Sequence, residues 1–238
     1  MAYHEITKQM IHAGQIGRWG AGISIVAALL MSGCRYGSHP EDGSSAYVRL
    51  INAVPDAGGL DVSVDGKRVW KRSEFRSSTG YQAVSSGTYP VRIEADGLGT
   101  TLLSESFSFD KRQNYTLLAL GPAGSKGTKV QVLPDEKPEH LIPGKATLRL
   151  INAAPGTHAL DLVINTIVGI KSVGYGRRSA LVILNSGHYD LQLATSDMQE
   201  MLVGPVSLDL KSGQSYTLIA MGKTADQSLS LEAYPDRP

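Results

Sequence analysis

Four cations surround a tryptophan in the stretch KRVWKR, residues 67–72. Cations there could attract an anionic partner such as an acidic polysaccharide or lipopolysaccharide, and an exposed indole could stack on a sugar ring or dock at a membrane interface. The candidate binding residues are Trp70, Lys67, Arg68, Lys71 and Arg72. The alternative, which we favour, is a solvated strand whose Trp70 turns into the core, because the chain has few other large aromatic side chains to fill one.

The only cysteine, Cys34, follows an uncharged run from Gly20 to Gly33 that basic residues precede. This run is shorter than the ~18 apolar residues that span a bilayer, and is typical of the hydrophobic region of a secretory signal. An exported protein could form disulfides, so a lone cysteine needs another role. The sequence Leu30-Met31-Ser32-Gly33-Cys34 resembles the lipobox of bacterial lipoproteins. That resemblance implies cleavage before Cys34 and lipidation of this residue.

The lipoprotein resemblance predicts a lipid-anchored protein of the cell envelope, with the membrane as its first partner. Arg35 stands where enterobacterial lipoproteins kept in the inner membrane have Asp, which implies the outer membrane in a cell that has one. Residues 35–46 are rich in Gly, Ser and Pro and predict a flexible tether. An uncleaved signal anchor, or an ordinary signal peptide with an incidental cysteine, stays open as an alternative, as does a start at Met10.

Asparagine and aspartate recur at one spacing, as Asn52 with Asp61 and as Asn152 with Asp161. These side chains could contribute to a calcium site. However, calcium usually takes six or more oxygen ligands, and this loop offers too few. We therefore favour the alternative that the side chains satisfy backbone donors in the turn between two strands.

The remaining acidic residues and histidines predict no catalytic or metal site. The histidines lack the short spacing of a zinc site and have no second cysteine beside them. The carboxylates Glu94, Asp96 and Glu105 could be imagined as a glycosidase set, but Ala194, Ser196 and Val206 stand around the matching places later in the chain. No Gly-x-Ser-x-Gly elbow occurs. We therefore predict no enzyme activity and no cofactor.

The charge balance gives no sign of nucleic-acid binding. The chain has 23 Lys and Arg against 22 Asp and Glu, a net charge of +1, and it lacks the basic stripe expected of a nucleic-acid-binding protein. Hydrophobic residues make up 42% and charged residues 19%, which is typical of a globular protein with a core.

The sequence is duplicated. RLINAVPDAGGLDVSV at 49–64 returns as RLINAAPGTHALDLVI at 149–164, and YTLLALG at 115–121 returns as YTLIAMG at 216–222. Each copy is about ninety residues long, enough for a core of its own. The predicted division is a signal peptide at 1–33, the lipidated cysteine and tether at 34–46, a first domain at 47–133, a Pro-rich linker at 134–146 and a second domain at 147–238.

Within each copy, apolar and polar residues alternate with a period of two, as in Leu60, Val62 and Val64 or Leu160, Leu162 and Ile164. This pattern predicts strands with one buried face and one solvated face. The dipeptide Asp65-Gly66 predicts a tight hairpin. We therefore predict an all-β protein with two tandem antiparallel β-sandwich domains of immunoglobulin-like type.

The motif Arg49-Leu50-Ile51-Asn52-Ala53-Val54-Pro55-Asp56-Ala57, with the later SGTY and YTL segments, resembles the domain-of-unknown-function 4397 family. The resemblance covers residues 47–238 in two copies and implies β-sandwiches and an envelope location, but no activity. Three hypotheses follow. We favour a non-enzymatic envelope lipoprotein that binds or scaffolds another envelope component, either a protein or a polysaccharide. A carbohydrate-binding or adhesive module is the alternative, and an enzyme with a cryptic site is a third.

Overall fold

The computed structural model describes residues 43–96, 100–123, 127–135, 142–196, 198 and 200–237. Cys34 and the predicted signal peptide lie outside the described residues. Within these ranges the regular structure consists of sixteen β-strands and no helix. The first repeat contains β1 Ser45–Ala53, β2 Leu60–Val64, β3 Lys67–Ser73, β4 Gln82–Ser85, β5 Gly87–Ala95, β6 Thr101–Phe109, β7 Asn114–Leu120 and β8 Lys129–Pro134. The second repeat contains β9 Lys145–Asn152, β10 Leu160–Ile164, β11 Ile167–Val173, β12 Val182–Asn185, β13 Gly187–Thr195, β14 Met201–Leu210, β15 Ser215–Met221 and β16 Ser230–Pro235.

Each repeat forms a sandwich of two four-stranded sheets. We call the sheets β4-β1-β7-β8 and β12-β9-β15-β16 the inner sheets, and the sheets β3-β2-β5-β6 and β11-β10-β13-β14 the outer sheets. No sheet mixes strands from the two repeats. The prediction of an all-β protein with two tandem sandwiches is confirmed.

One pairing in each inner sheet is parallel, whereas the sequence predicted antiparallel sheets. Strand β1 runs parallel to β7, from Tyr47 opposite Asn114 to Ala53 opposite Leu120, and β9 runs parallel to β15. Parallel neighbours need a long crossover connection. Here the chain builds the outer sheet between β1 and β7, and this detour lets β7 return beside β1 in the same direction.

The first hairpin forms where the turn chemistry predicts it. Asp65 and Gly66 have φ of 51° and 71° and join β2 to β3. A type I′ turn needs positive φ at both central residues, which Asp and Gly tolerate. The second repeat has Asn165 with φ 57° at the first of these positions, followed by Thr166.

The two central strands of each inner sheet are buried on both faces, which the sequence analysis did not predict. Every residue of β7 and of β15 is buried. Alternate side chains such as Leu50 and Leu117 fill the core of their own sandwich, while Ile51 and Leu118 fill a third core between the two sandwiches. Because that third core excludes water, the inner strands need apolar residues on both sides.

The third core is built from matched positions of the two repeats. It contains Ile51, Ala53, Leu118, Leu120 and Leu133 from the first repeat and Ile151, Ala153, Ile219, Met221 and Tyr234 from the second. Equivalent residues of the two repeats therefore pack in one core, as they do in the self-complementary interface of a symmetric dimer.

The described residues all belong to one compact unit, 39–238. Its strand bounds differ slightly from the predicted domain edges at 47, 133 and 147. Strand β1 begins at Ser45, β8 ends at Pro134 and β9 begins at Lys145. The division into signal, tether, domains and linker stays a prediction. Among the described residues, no helix is long and apolar enough to cross a membrane.

Candidate functional site

The tryptophan of the KRVWKR stretch lies in the core of the first sandwich. Trp70 is 7% exposed and belongs to the apolar cluster between the two sheets. Its indole N–H is 3.4 Å from the carbonyl oxygen of Gly80. A buried indole cannot stack on a ligand, so the geometry supports the core interpretation of Trp70.

The four cations of this stretch are exposed on β3, an edge strand of the outer sheet. Arg68 lies 3.4 Å from a carboxylate oxygen of Asp61, and Arg72 lies 2.9 Å from one of Asp96. These carboxylates offset part of the positive charge. Lys71 points into solvent, and Lys67 lines a cleft between the edge strands β3 and β4. Binding of an anionic partner by these cations stays a prediction.

The recurring asparagine forms hydrogen bonds with backbone groups at the end of the first strand of each repeat. The Asn52 side-chain oxygen accepts a hydrogen bond from the Val54 N–H at 2.9 Å, and its amide donates to the Ser73 carbonyl at 2.8 Å. Asn152 makes the matching bonds to Ala154 and Val173, both at 3.1 Å. The backbone interpretation of the asparagines is therefore the one that the hydrogen bonds support.

The recurring aspartate holds a β-bulge at the edge of each outer sheet. Asp61 accepts the backbone N–H of Arg72 at 2.8 Å, and Asp161 accepts that of Ser172 at 2.6 Å. Arg72 and Ser172 have φ of 50° and 55°, and the pairing with the neighbouring strand shifts register there. Each aspartate thus satisfies a backbone donor that the bulge removes from the ladder.

Two of the three carboxylates considered for catalysis form ion pairs with arginines. Glu94 pairs with Arg92 at 2.8 Å and Asp96 with Arg72 at 2.9 Å, while Glu105 is exposed on β6. In the part of the chain that the structure describes, no three His, Cys, Asp or Glu side chains come together as a possible metal site.

An ionic cluster that the sequence analysis missed lies between the inner sheets. We call it the interface ionic cluster, and its members are Arg49, Arg149, Thr116, Thr217, Asp135 and Asp236. All six side chains belong to buried residues, with Arg49 only 3% exposed and Arg149 fully buried. Buried charges need partners and complete hydrogen bonding to offset the loss of water.

Each arginine of the cluster reaches from its own repeat to the end of the last strand of the other. Arg49 donates to the Pro235 carbonyl at 2.7 Å and forms an ion pair with Asp236 at 2.6 Å. Arg149 donates to the Pro134 carbonyl at 3.2 Å. The two repeats therefore exchange equivalent contacts, which ties the sandwiches together with directional bonds as well as apolar packing.

The two threonines link the arginines of the cluster to its aspartates, and a tyrosine outside the cluster contacts Asp135. The Thr116 hydroxyl accepts a hydrogen bond from Arg49 Nε at 2.9 Å and donates one to Asp135 at 2.8 Å. The Thr217 hydroxyl likewise accepts a hydrogen bond from Arg149 Nε and donates one to Asp236. The Tyr81 hydroxyl donates to the second carboxylate oxygen of Asp135. Burial raises the pKa of Tyr81, so this hydroxyl stays protonated and keeps donating.

Burial raises the pKa of the Asp236 carboxyl to about 6. The negative charge of Asp135 acts in the same direction, while Arg49, Arg149 and the Thr217 hydrogen bond act against it. The cost of removing the carboxylate from water thus exceeds the attraction of the two arginines. The native state consequently binds a proton at Asp236 more tightly than the unfolded chain does.

This proton linkage predicts a pH-dependent stability. Below pH ~4 the carboxyl is protonated in both states and the burial cost is absent, and as pH rises through 4 to 6 only the native state resists ionisation. Between pH 4.5 and 7.5, we expect the unfolding free energy of the wild type to fall by about 1–3 kcal/mol more than that of the Asp236→Asn variant. Urea unfolding of both proteins across this range measures the difference, and parallel profiles would mean that Arg49 keeps the carboxylate ionised at its ordinary pKa.

Comparison with known proteins gives one family. The family model described as Domain of unknown function (DUF4397) matches residues 46–163 and 146–238. Among curated proteins, no sequence matches the chain.

Two solved structures illustrate the structural comparison. The CBM26 module CBMbc of Amy13K from Eubacterium rectale, in complex with maltoheptaose, has 10% sequence identity and a TM-score of 0.26, over 81% of this chain and 98% of that one. A leucine-rich repeat protein from Bacteroides thetaiotaomicron has 13% identity and a TM-score of 0.20, over 76% of this chain and 26% of that one. Both TM-scores are too low to carry an argument about function.

Proposed function

The chain belongs to the DUF4397 family, and we propose that it is a non-enzymatic lipoprotein of the bacterial cell envelope that presents two fused β-sandwiches for binding or scaffolding. The observation that carries this proposal is the buried interface between the inner sheets. It joins the repeats into one unit directly after the predicted tether. Such a unit would hold the loops and strand edges of both sandwiches in a fixed arrangement above the membrane.

The predicted anchor gives the proposal its location. Cys34 ends the uncharged run Gly20–Gly33, and a tether rich in Gly and Ser follows it. One acyl chain gives only marginal membrane binding, whereas two or more hold a protein durably. Acylation of Cys34 with two or more chains would therefore keep the sandwiches at the membrane. In a cell with an outer membrane, this would be the outer membrane.

A carbohydrate-binding or adhesive module is the second candidate. Lys67 and the half-buried Tyr89 line the cleft between β3 and β4, and this combination of a cation and an aromatic ring could take an acidic sugar. A glycan array probed with residues 39–238 separates the two candidates, because tight binding to a defined glycan would favour the second.

Substitution of Cys34 by Ser tests the anchor. We expect the wild type to fractionate with membranes, with a mature chain that begins at an acylated Cys34. The C34S variant is expected to accumulate as the unprocessed precursor or to appear in the soluble fraction, because serine offers no thiol for acylation. Mass spectrometry of the N-terminal peptide and membrane fractionation measure both. A C34S protein that is processed and fractionates like the wild type would contradict the lipoprotein proposal.

A further inference from the structure

We propose that one corner of the second sandwich binds a soft metal ion, Cu(I), through Met198, Met201 and His158. Two segments meet at this corner, which we call the methionine corner. They are the β13–β14 turn, which carries Met198 and ends at Met201, and the loop before β10, which carries the histidine. The site belongs to the folded unit and is independent of the proposed lipid anchor.

The two methionines of the corner are exposed, although methionine is usually a buried residue. Three of the six methionines of the chain lie in the predicted signal peptide, so the mature chain keeps Met198, Met201 and Met221. Met221 is fully buried in the third core, whereas Met198 and Met201 are 43% and 47% exposed. Both exposed thioethers of the mature chain therefore stand three positions apart at a single turn.

Backbone hydrogen bonds fold this turn around Thr195. The Met198 N–H donates to the Thr195 carbonyl at 2.8 Å, and the Thr195 N–H donates to the Glu200 carbonyl at 3.0 Å. Met201 then begins β14 opposite Ala194. Both methionines consequently flank Thr195, the last residue of β13.

The strand pairing of β13 brings His158 to the same corner. Thr195 pairs with Leu160 in the antiparallel ladder, and the next N–H, that of Ser196, donates to the Ala159 carbonyl at 3.2 Å. Residues opposite each other in such a ladder lie about 5 Å apart. The exposed His158, one position before Ala159, therefore lies beside the turn residues that follow Ser196.

The first repeat builds the same corner without these side chains. There the Asp96 N–H donates to the Gly59 carbonyl at 2.8 Å, as the matching residues do in the second repeat. Glycine, leucine and threonine stand in its sequence at the places of the histidine and the two methionines. The turn thus forms without the three proposed ligands, which leaves their presence in the second repeat unexplained by folding.

An arginine occupies the corner of the first repeat, and a serine takes its place in the second. The Arg72 guanidinium lies 2.9 Å from the Asp96 carboxylate, whereas Ser172 and Ser196 stand at the matching positions. The second turn has the sequence SDMQEM, residues 196–201, with two acidic residues and no basic one. A bound cation would therefore complement the charge of this turn, where the first repeat uses its own arginine.

Two thioethers and one imidazole select the ion. Thioether sulfur favours Cu(I), and imidazole also binds copper. Calcium and magnesium take oxygen ligands, and structural zinc sites take mainly thiolates and imidazoles. In the ranges that the structure describes, no three His, Cys, Asp or Glu side chains come together, so the corner offers no complete set of harder ligands.

Competition for Cu(I) with the chromophoric chelator bicinchoninate, under anaerobic conditions with ascorbate, tests the site. The protein is residues 43–238, which omit Cys34 and His39 because either could bind Cu(I) itself. We expect one Cu(I) per chain. Met198→Leu/Met201→Leu and, separately, His158→Gln should each weaken binding by at least about tenfold, since even loss of an outer-shell partner typically costs a metal site that much.

His188→Gln and Met221→Leu are the matched controls. His188 is exposed at the opposite end of β13, and Met221 is buried, so both variants should bind Cu(I) like the wild type. Melting temperatures show that each compared protein is folded.

Four outcomes would overturn the site. They are a wild type that does not compete for Cu(I), full binding by the double methionine variant, full binding by His158→Gln, and a loss in His188→Gln equal to that in His158→Gln. Zn(II) bound by the wild type as tightly as Cu(I) would overturn the assignment of a soft metal.

Discussion

Replacement of Arg49 by Met is expected to lower the unfolding free energy by about 3–5 kcal/mol at pH 7.5. Methionine fills a similar volume but leaves the Asp236 carboxylate buried without its 2.6 Å ion pair, and leaves the Pro235 carbonyl without its donor. The loss should shrink below pH 6, since a protonated Asp236 no longer needs the cation. Urea unfolding at pH 7.5 and pH 5 measures both effects.

The double variant Arg49→Met/Asp236→Leu is the control for this prediction. It removes both charges, so we expect it to recover most of the stability that R49M loses, because apolar residues often replace a buried ion pair at little cost. A double variant as unstable as R49M would show that packing around Arg49, rather than the unpaired carboxylate, causes the loss. An R49M protein as stable as the wild type would contradict the assignment of the ion pair to a buried interface.

The duplication explains why the interface ionic cluster is almost symmetric. Arg49 and Arg149, Thr116 and Thr217, and Asp135 and Asp236 are equivalent positions of the two repeats. A single ancestral face that paired with a copy of itself would place each of these residues twice, as an isologous interface does. The repeats have since diverged at Tyr81, whose hydrogen bond to Asp135 has no counterpart because Leu181 stands at the matching place.

Alternation and turn chemistry make the sandwiches predictable from the sequence. Residues such as Val62 and Val64 must point to one side of a strand, and Asp65-Gly66 must turn. These signals are local, and a duplicated pattern doubles them. The parallel pairing of β1 with β7 is not local, because it depends on where the chain returns after building the outer sheet.

The interface could not be located in the same way, although it left traces. The run YTLLALG is apolar at consecutive positions, which is typical of a strand buried on both faces and conflicts with a solvated side. Arg49 and Arg149 stand among apolar residues of such strands, and Pro-Asp recurs at the end of the last strand of each repeat. A sequence shows that these charges recur, but only the packing shows that they meet across the repeats.

For the KRVWKR stretch, the sequence drew attention to the residues but did not decide their role. Its composition indicated either a binding surface or a core tryptophan, and alternation alone could not decide because the β-bulge at Arg72 breaks the period. The bulge turns Lys71 and Arg72 both outward while Trp70 and Ser73 stay buried. What decides the role of Trp70 is therefore its contact with the core, and this contact has an energetic consequence.

Trp70→Ala is expected to lower the unfolding free energy of residues 39–238 by about 3–5 kcal/mol, because the cavity left by an indole is large and the sheets around it cannot close fully. The matched control is Ile170→Ala at the equivalent, equally buried place in the second repeat, with an expected loss of about 2–5 kcal/mol. Trp70 is the only tryptophan of this unit, so its fluorescence should be shielded from iodide in the folded wild type. Free iodide access together with an unchanged melting temperature of W70A would place the indole at the surface and restore it as a ligand-stacking residue.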